Sequence, residues 1–474
     1  RIEDTDLNRS TLEFEKNIVD NLKWLGIEWS EGPDVDGKYG PYRQTERKEI
    51  YAKYLKKLLE GKKAYYCFCT EEESEAQKQY HMSMGESPKY SGKCAGLSEN
   101  ETDKMIKEGK PCVIRFRMPA KKVVFEDMIR GKIEFDTGLM GDVVIAKDNN
   151  SPLYNLAVTV DDYEMEISHV IRGEEHISNT PKQIMLQEAL GFKTPKYAHL
   201  PLILGPDKSK MSKRHGSVAV SDYRKLGYLP ESMINFMAFL GWNPGDEREI
   251  YSMASLQKEF SLDKVQKGGA IFNIKRLEFL NGFYIRQKSS QRLTELCLPY
   301  LIEKGLIEKV GDLKILEKTE KLEIFNKENQ DFIIKETGEG MPSESLIRII
   351  SLYQERLKKM SEIVEFTDFF FKKNLEIEKS MLVWKNMEEK EIKKSLETSE
   401  KTLSKIKEAD WKMENIEIAL LKEAEKLENR GNLLWPLRVA LTGKEASAGP
   451  FEVAELLGRE KTLNRIKEAE KLLK

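Results

Sequence analysis

The fold of this chain is indicated first by Lys210-Met211-Ser212-Lys213-Arg214-His215-Gly216. Glycine, proline and aspartate precede this stretch at positions 205–207, and such residues predict a loop rather than a helix. The apolar run 200–204 predicts a strand before the loop, and α/β sheets place their ligands where strands end. Two lysines three residues apart on a loop suit a polyphosphate, because they can offset the charge that develops during attack at phosphorus. We therefore predict a phosphate-binding loop, with an exposed basic turn as the alternative.

Length and composition limit the class of protein. The chain has 474 residues, too many for one ordinary core, which predicts two to four domains. Its formal net charge is −2, so any surface for nucleic acid must be a local patch. Five cysteines, including the close pair Cys67 and Cys69, fit thiol or metal chemistry in a reducing compartment. No apolar run approaches a membrane span and the start has no signal-peptide character, so we expect a cytoplasmic protein.

The hydrophobic period changes along the chain. Apolar residues at helical spacing follow Glu46 and end at Gly61, which predicts a helix. Short β-type runs then predict an α+β module; they are 65–68, 113–118, 123–125 and 143–146. The run 167–171 predicts another strand, and Asn179-Thr180-Pro181 predicts the start of a helix that Gly191 closes. From about Pro230 the periodicity is mostly helical.

Several blocks occur in the order found in one enzyme family. They are Arg1-Ile2-Glu3-Asp4-Thr5-Asp6, Gly40-Pro41-Tyr42-Arg43-Gln44-Thr45, Val170-Ile171-Arg172-Gly173-Glu174-Glu175-His176, Tyr197-Ala198-His199-Leu200-Pro201, the lysine loop, Gly241-Trp242, and Trp435-Pro436-Leu437-Arg438-Val439-Ala440-Leu441-Thr442-Gly443. The lysine loop resembles the KMSK loop of class I aminoacyl-tRNA synthetases. Over nearly its whole length, the chain resembles the bacterial-type glutamyl-tRNA synthetases.

This resemblance implies an α/β fold, with a Rossmann-like class I synthetase catalytic domain, an α+β insert and an all-α anticodon-binding region. The catalytic domain is expected at 1–62 and 151–218, and an inserted acceptor-binding module at 63–150. A stem-contact region is expected at 219–288 and the helical anticodon-binding region at 289–474. The implied activity is that of a monomeric glutamate–tRNA ligase. It uses ATP and Mg²⁺ to form glutamyl adenylate and transfers glutamate to the 3′-terminal adenosine of tRNA(Glu).

Three residues match positions that contact the amino acid in the family. Glutamate carries one ammonium and two carboxylates, so its site needs an anionic group and fixed cationic donors. The resemblance implies that Glu3 binds the ammonium of the substrate and that Arg172 binds its side-chain carboxylate. It implies that Tyr154 also contacts the substrate. The alternatives are a helix cap for Glu3, a surface ion pair for Arg172 and a core position for Tyr154. The segment 155–158 differs from members in which an asparagine contacts the substrate.

The loop residues receive roles with ATP by the same resemblance. Lys210 and Lys213 are expected to bind pyrophosphate and to stabilise the transition state, and Ser212 to position the backbone or bind a phosphate. Glu175 matches a position near ATP in the family, but spacing does not decide between it and Glu174.

A cysteine cluster predicts a structural zinc ion. Cys67, Cys69 and Cys94 provide three thiolates, enough for most of a tetrahedral site. Some members of the family bind zinc here with a histidine two residues after the last cysteine, where this chain has Gly96. Tyr90 is the replacement found in some relatives, and His81 is a weaker candidate. The alternative is a set of buried free thiols; Cys112 and Cys297 are expected to be ordinary core cysteines.

One family motif is not found in the printed sequence. Class I enzymes carry a His-Ile-Gly-His type motif after their first strand, and its histidines hold the ATP phosphates. From this difference we expect the printed chain to bind tRNA without forming glutamyl adenylate, so a noncatalytic tRNA-binding protein is one alternative function. Glutaminyl specificity, or charging of both tRNAs, is another. The Arg214-His215-Gly216 continuation and the helical second half argue against the glutaminyl branch.

Overall fold

The computed structural model describes residues 1–6, 10–216, 218–310 and 331–473, and the side chain of Lys213 is not described. The chain forms two compact units. The first comprises Arg1–Ser221 and Ile234–Asn273, and the second comprises Asp222–Met233 and Ile274–Lys474. None of the helices described in these ranges is long and apolar enough to cross a membrane.

The first unit contains most of the strands. These are β1 (Ala64–Cys67), β2 (Val113–Phe116), β3 (Lys122–Asp127), β4 (Gly131–Asp136), β5 (Val143–Ala146), β6 (His169–Gly173), β7 (Lys196–Leu200), β8 (Ile203–Leu204) and β9 (Ala270–Ile271). They form a four-stranded sheet in the order β4-β3-β7-β6, an antiparallel sheet in the order β1-β2-β5, and a parallel β8-β9 pair. Within the four-stranded sheet, β7 runs parallel to both β3 and β6. This arrangement confirms a Rossmann-like α/β unit with an α+β insert.

Nine helices accompany these strands in the described chain up to residue 273. They are α1 (Leu12–Trp24), α2 (Lys48–Glu60), α3 (Glu71–Ser83), α4 (Glu99–Lys107), α5 (Tyr154–Glu164), α6 (Thr180–Leu190), α7 (Val220–Lys225), α8 (Pro230–Ala238) and α9 (Met253–Glu259). The predicted helix before Gly61 is α2. The predicted helix after Asn179 is α6, which has proline in its first turn and ends at Gly191 with φ 75°. In consequence, β6, α6 and β7 form the expected strand–helix–strand unit.

One strand prediction is wrong in its boundaries. The run 200–204 was expected to be a single strand, but β7 ends at Leu200 and the short β8 begins at Ile203. Pro201 lies between them and has no backbone N–H to donate to a strand ladder, which accounts for the interruption. The lysine loop therefore follows β8, whose partner is β9.

A buried carboxylate joins α2 to α5. Asp161 has no solvent-exposed side-chain surface and accepts hydrogen bonds from Gln44, Arg47 and Tyr51 at 2.8–3.0 Å. Arg47 is also almost fully buried, so the two charges are paired away from water. This network fixes the helix that begins at Tyr154, close to the predicted glutamate site.

The second unit is mainly helical. Its helices are α10 (Ile274–Arg286), α11 (Ser290–Glu303), α12 (Ser343–Ser351), α13 (Glu362–Thr367), α14 (Glu389–Leu403), α15 (Met413–Ala424), α16 (Gly431–Thr442), α17 (Pro450–Leu457) and α18 (Arg459–Lys471). A small antiparallel sheet, β10 (Ile307–Lys309), β11 (Phe332–Ile334) and β12 (Gly340–Met341), lies within this helical region. The helical prediction for the second half is confirmed, although the periodicity gave no sign of this sheet.

Candidate active site

Arg172 lies near the carboxyl end of β6 and is half-buried. Its Nε donates to His199 Nε2 at 3.2 Å, and its Nη2 donates to Thr180 Oγ1 and Gln183 Oε1, both at 2.9 Å. All of these partners are neutral acceptors, and no carboxylate in the described part of the chain pairs with the guanidinium. The surface ion pair considered for Arg172 is therefore not formed. A half-buried guanidinium without a protein anion is a suitable site for the carboxylate of a ligand.

Tyr154 begins α5 and is half-buried beside this arginine. Its hydroxyl accepts from Arg172 Nη1 at 3.4 Å and lies 3.3 Å from His176 Nδ1. Burial raises the pKa of Tyr154, Arg172 lowers it and the negative charge of Glu3 raises it, with a net increase. Tyr154 therefore stays a neutral hydroxyl that can donate a hydrogen bond to an anionic ligand.

Glu3 directly follows Ile2, which forms an isolated parallel β-bridge with Arg43. Its side chain is exposed, and in the described residues it has no hydrogen-bond or ion-pair partner, so it does not cap a helix. Its charge is close enough to influence the pKa of Tyr154. Burial raises the pKa of Glu3 and the positive charge of Arg1 lowers it, with a net increase. The structure thus brings Glu3, Tyr154 and Arg172 to one region, where neither Glu3 nor Arg172 forms a direct ion pair with another described side chain.

The lysine loop continues from β8 and includes a short 3₁₀ turn, Lys213–His215. An isolated antiparallel β-bridge pairs Leu204 with Lys210, and the Ser212 N–H donates to His215 Nδ1 at 3.1 Å. Gly205 is required at the base of this loop, because a Cβ there would lie 3.0 Å from the His215 ring. Contacts within the loop therefore define its course, although the part played by the Lys213 side chain lies outside the described residues.

The two adjacent glutamates have different partners. Glu175 Oε1 lies 3.6 Å from the exposed Lys210 Nζ, whereas Glu174 forms an ion pair with Arg130 and accepts from the Leu202 N–H at 3.1 Å. A backbone N–H bond lowers the pKa of Glu175, burial raises it and Lys210 lowers it, with a net decrease. Both carboxylate oxygens of Glu174 thus bind other protein groups, whereas Glu175 lies beside the lysine loop.

The predicted thiols do form a cluster. The Sγ atoms of Cys67, Cys69 and Cys94 lie within 4.8 Å of one another, and Cys69 and Cys94 are 3.7 Å apart. The Tyr90 hydroxyl lies 3.3 Å from Cys67 Sγ and 3.4 Å from Cys69 Sγ. His81 instead pairs with Glu86 at 2.9 Å on the surface. Tyr90, rather than His81, is therefore the fourth group at this cluster.

The distances between the sulfur atoms fit a metal ion with tetrahedral coordination. Zn–S bonds of about 2.3 Å place two sulfurs about 3.8 Å apart across a tetrahedral edge, close to the observed cysteine pair. Burial raises the pKa of Cys67, but hydrogen bonds from Tyr90, the Cys69 backbone and Arg115 lower it further, so the net pKa falls. The lowered pKa favours the thiolate form of Cys67, the form that binds metals. The pKa of Cys69 is instead raised to about 11, first by burial and then by the neighbouring Cys67 and Cys94. Cys112 and Cys297 lie outside the cluster; Cys297 is a buried core cysteine as predicted, whereas Cys112 is only partly buried.

Sequence reasoning assigned no role to several residues around Arg172. Asp127 and His199 are buried behind the guanidinium, and Thr180 and Gln183 reach it from α6. His199 belongs to one of the blocks used for the resemblance, but Asp127 is the last residue of β3 and has no motif around it. The strand pairing brings these groups together, so no local pattern could identify them.

Two family models match the chain. One, described as tRNA synthetases class I (E and Q), catalytic domain, matches residues 1–279. The other, described as an anticodon binding domain, matches residues 292–470. The boundary between them lies near the start of the helical second half.

Individual relatives and a solved structure agree with these models. "Glutamate--tRNA ligase 1" of Caldicellulosiruptor saccharolyticus is 44% identical over 473 residues, which are 98% of this chain and 90% of the relative. The glutamate–tRNA ligase of Carboxydothermus hydrogenoformans is 42% identical, covering 98% of this chain and 91% of the relative. The crystal structure of a glutamate tRNA ligase from Elizabethkingia meningosepticum in complex with its amino acid is 31% identical, with TM-score 0.79, and the match covers 100% of this chain and 92% of that one.

Proposed function

Because the chain belongs to the glutamate–tRNA ligases among the class I aminoacyl-tRNA synthetases, we propose that the residues described above divide the activation of glutamate between them. ATP and Mg²⁺ enter together as substrate, glutamate attacks the α-phosphate through its carboxylate, and pyrophosphate leaves. The glutamyl group then passes to the 3′-terminal adenosine of tRNA(Glu). Such a reaction needs positioning and charge stabilisation more than side-chain acid or base.

Arg172 carries the proposal for glutamate. Its neutral partners leave a half-buried positive charge with no protein carboxylate, which matches the side-chain carboxylate of glutamate. Tyr154 donates a hydrogen bond beside it, and Glu3 supplies the anion for the substrate ammonium. A glutamine side chain would leave the positive charge of Arg172 unpaired, and this difference gives the preference for glutamate.

The lysine loop acts on ATP in this proposal. Lys210 and Lys213 stabilise the negative charge on the departing pyrophosphate, and Ser212 presents its backbone and hydroxyl to a phosphate. Glu175 holds Lys210 at 3.6 Å, near the end of β6. Because an ion pair between exposed groups is weak, ATP can displace this contact and take over the lysine.

A structural Zn²⁺ ion would be held by Cys67, Cys69, Cys94 and Tyr90. The distances between the three sulfurs and the phenol oxygen support this donor set. Bound zinc would supply structural stability to the segment around β1 and no chemistry to the reaction, because four protein donors leave no open coordination position.

The remaining segments serve tRNA in this proposal. Segment 63–150 binds the acceptor end, 219–288 contacts the stem and 289–474 binds the anticodon; the match of 292–470 to an anticodon-binding model supports the last assignment. Since glutamate, ATP and tRNA occur together in the cytoplasm, we propose that the enzyme works there. The family resemblance is the basis for proposing a monomer.

The test is a pyrophosphate-exchange assay, with tRNA present, that compares glutamate, glutamine and aspartate. Because the chain belongs to the glutamate–tRNA ligases, we expect exchange with glutamate alone, followed by charging of tRNA(Glu). This replaces the expectation, drawn from the unmatched His-Ile-Gly-His type motif, of tRNA binding without adenylate formation. Equal exchange with glutamine would contradict the role of Arg172, and charging of tRNA(Gln) with glutamate would show a ligase that serves both tRNAs. Binding of tRNA without any amino-acid-dependent exchange would favour a noncatalytic tRNA-binding protein.

A further inference from the structure

The buried side chain of His199 accepts a hydrogen bond from the Nε of Arg172. The parallel pairing of β6 and β7 places Arg172 opposite His199, so the two side chains share one face of the sheet. Arg172 Nε donates to His199 Nε2 at 3.2 Å. A guanidinium has no acceptor, so Nε2 must present its lone pair and the imidazole proton must be on Nδ1.

Asp127 holds that proton in place. Its Oδ2 lies 2.6 Å from His199 Nδ1, and neither side chain has any exposed surface. Its Oδ1 accepts from the backbone N–H groups of Ile129, Arg130 and His199 at 2.9–3.3 Å. Burial raises the pKa of Asp127, but these bonds lower it further, so this carboxylate is ionised at neutral pH. Its position therefore selects a single tautomer of His199.

The remaining donors of Arg172 show what this arrangement does. Nη2 is occupied by Thr180 and Gln183, and Nε by His199, whereas the contact of Nη1 with the Tyr154 hydroxyl is long, at 3.4 Å. The guanidinium is consequently fixed with its Nη1 side available. We propose that Asp127 and His199 form a positioning pair that orients Arg172 toward the side-chain carboxylate of glutamate, and that glutamate selection depends on this pair. The inference rests on the proposed role of Arg172.

Asp127→Asn gives the sharpest test because it nearly preserves shape. The asparagine Oδ1 can keep the three backbone bonds, but its NH₂ group replaces the oxygen that faces Nδ1. His199 must then accept at Nδ1 and carry its proton on Nε2, where it meets the Nε–H of Arg172. We expect the KM for glutamate to rise about tenfold or more, with the KM for ATP and the melting temperature nearly unchanged. Similar increases in both KM values would overturn the inference.

Variants of His199 decide the question if Asp127→Asn does not fold. His199→Gln places an amide oxygen near the position of Nε2 and keeps an acceptor for Arg172, whereas His199→Phe keeps the ring volume without one. We expect His199→Gln to have a glutamate KM closer to that of the unchanged enzyme than His199→Phe does. A glutamate KM that is the same in both variants would show that the imidazole serves packing alone.

A double substitution separates this inference from the proposed function. If His199 acts through Arg172, then His199→Phe should add nothing to the glutamate KM of an Arg172→Gln enzyme. An additive effect would mean that His199 acts independently, while Arg172 keeps its role. If Arg172→Gln alone leaves the glutamate KM unchanged, the proposed role of Arg172 fails, and the positioning of Arg172 for glutamate fails with it.

Discussion

Replacing Arg172 with glutamine tests the central feature of the proposed glutamate site. The change removes the positive charge while retaining a polar side chain that can bond to Thr180 or Gln183, which now lie 2.9 Å from Arg172 Nη2. Because Arg172 is half-buried and has no protein carboxylate, its charge is available to the substrate. A hydrogen bond to a charged group contributes roughly 1.5–3 kcal/mol, which corresponds to a factor of about 10 to 150 in binding.

The assay is tRNA-dependent pyrophosphate exchange with glutamate, glutamine and ATP varied in turn. We expect the KM for glutamate to rise by that factor and the KM for ATP to stay within about twofold. Glutamine has no side-chain charge to lose, so the preference for glutamate over glutamine should fall by a similar factor.

A matched control is Arg117→Gln. This half-buried arginine of the same unit donates to the Ala95 carbonyl at 2.7 Å and lies against the Tyr65 ring, outside the glutamate site. It should leave the glutamate KM unchanged. Equal effects of Arg172→Gln on glutamate and ATP, or no change in the preference over glutamine, would refute the assignment of a carboxylate to Arg172.

Three further predictions concern other parts of the chain. Lys210→Ala should lower the rate of adenylate formation in single-turnover experiments and leave glutamate binding intact. The control is Lys208→Asn, which removes a charge from the same loop at a residue with φ 61°, a conformation that asparagine tolerates; it should leave the rate unchanged. Equal losses of rate in both variants would indicate only a general charge effect. Elemental analysis should find about one zinc ion per chain, retained in Cys112→Ser and lost in Cys94→Ser together with a lower melting temperature; metal-free protein with unchanged melting would exclude the site. Burial lowers the pKa of Lys461 from 10.5 to about 8. Between pH 8 and pH 10.5 the unfolded chain therefore binds more protons at this residue than the folded chain does. In that range Lys461 makes the free energy of unfolding rise with pH. Lys461→Met should remove that part of the rise, as measured by melting at pH 7 to 10, and an unchanged pH profile would contradict the shift.

Local sequence determined those features whose chemistry lies within a few consecutive residues. Asn179-Thr180-Pro181 and Gly191 marked both ends of α6, because a proline in the first helical turn and a glycine with positive φ are local conformational requirements. The lysine loop could also be predicted from local sequence, since the helix-breaking residues at 205–207 come directly before the lysines. The pattern of cysteines indicated a cluster and the family resemblance favoured Tyr90 over His81; in the fold, Tyr90 contacts the cysteines and His81 does not.

Tertiary structure alone decided which groups surround Arg172. Asp127, Arg172 and His199 come from three different strands, and their contact depends on the order β3-β7-β6 and on the register that pairs Arg172 with His199. A shift of one residue in that register would turn His199 to the other face of the sheet, and nothing in the local sequence specifies it. The contacts of the two adjacent glutamates depend on tertiary structure in the same way: Glu174 contacts Arg130 and the Leu202 N–H, whereas Glu175 lies beside Lys210. Hydrophobic periodicity identifies strands and helices, but the position of a polar side chain in a site depends on partners that are distant in the chain.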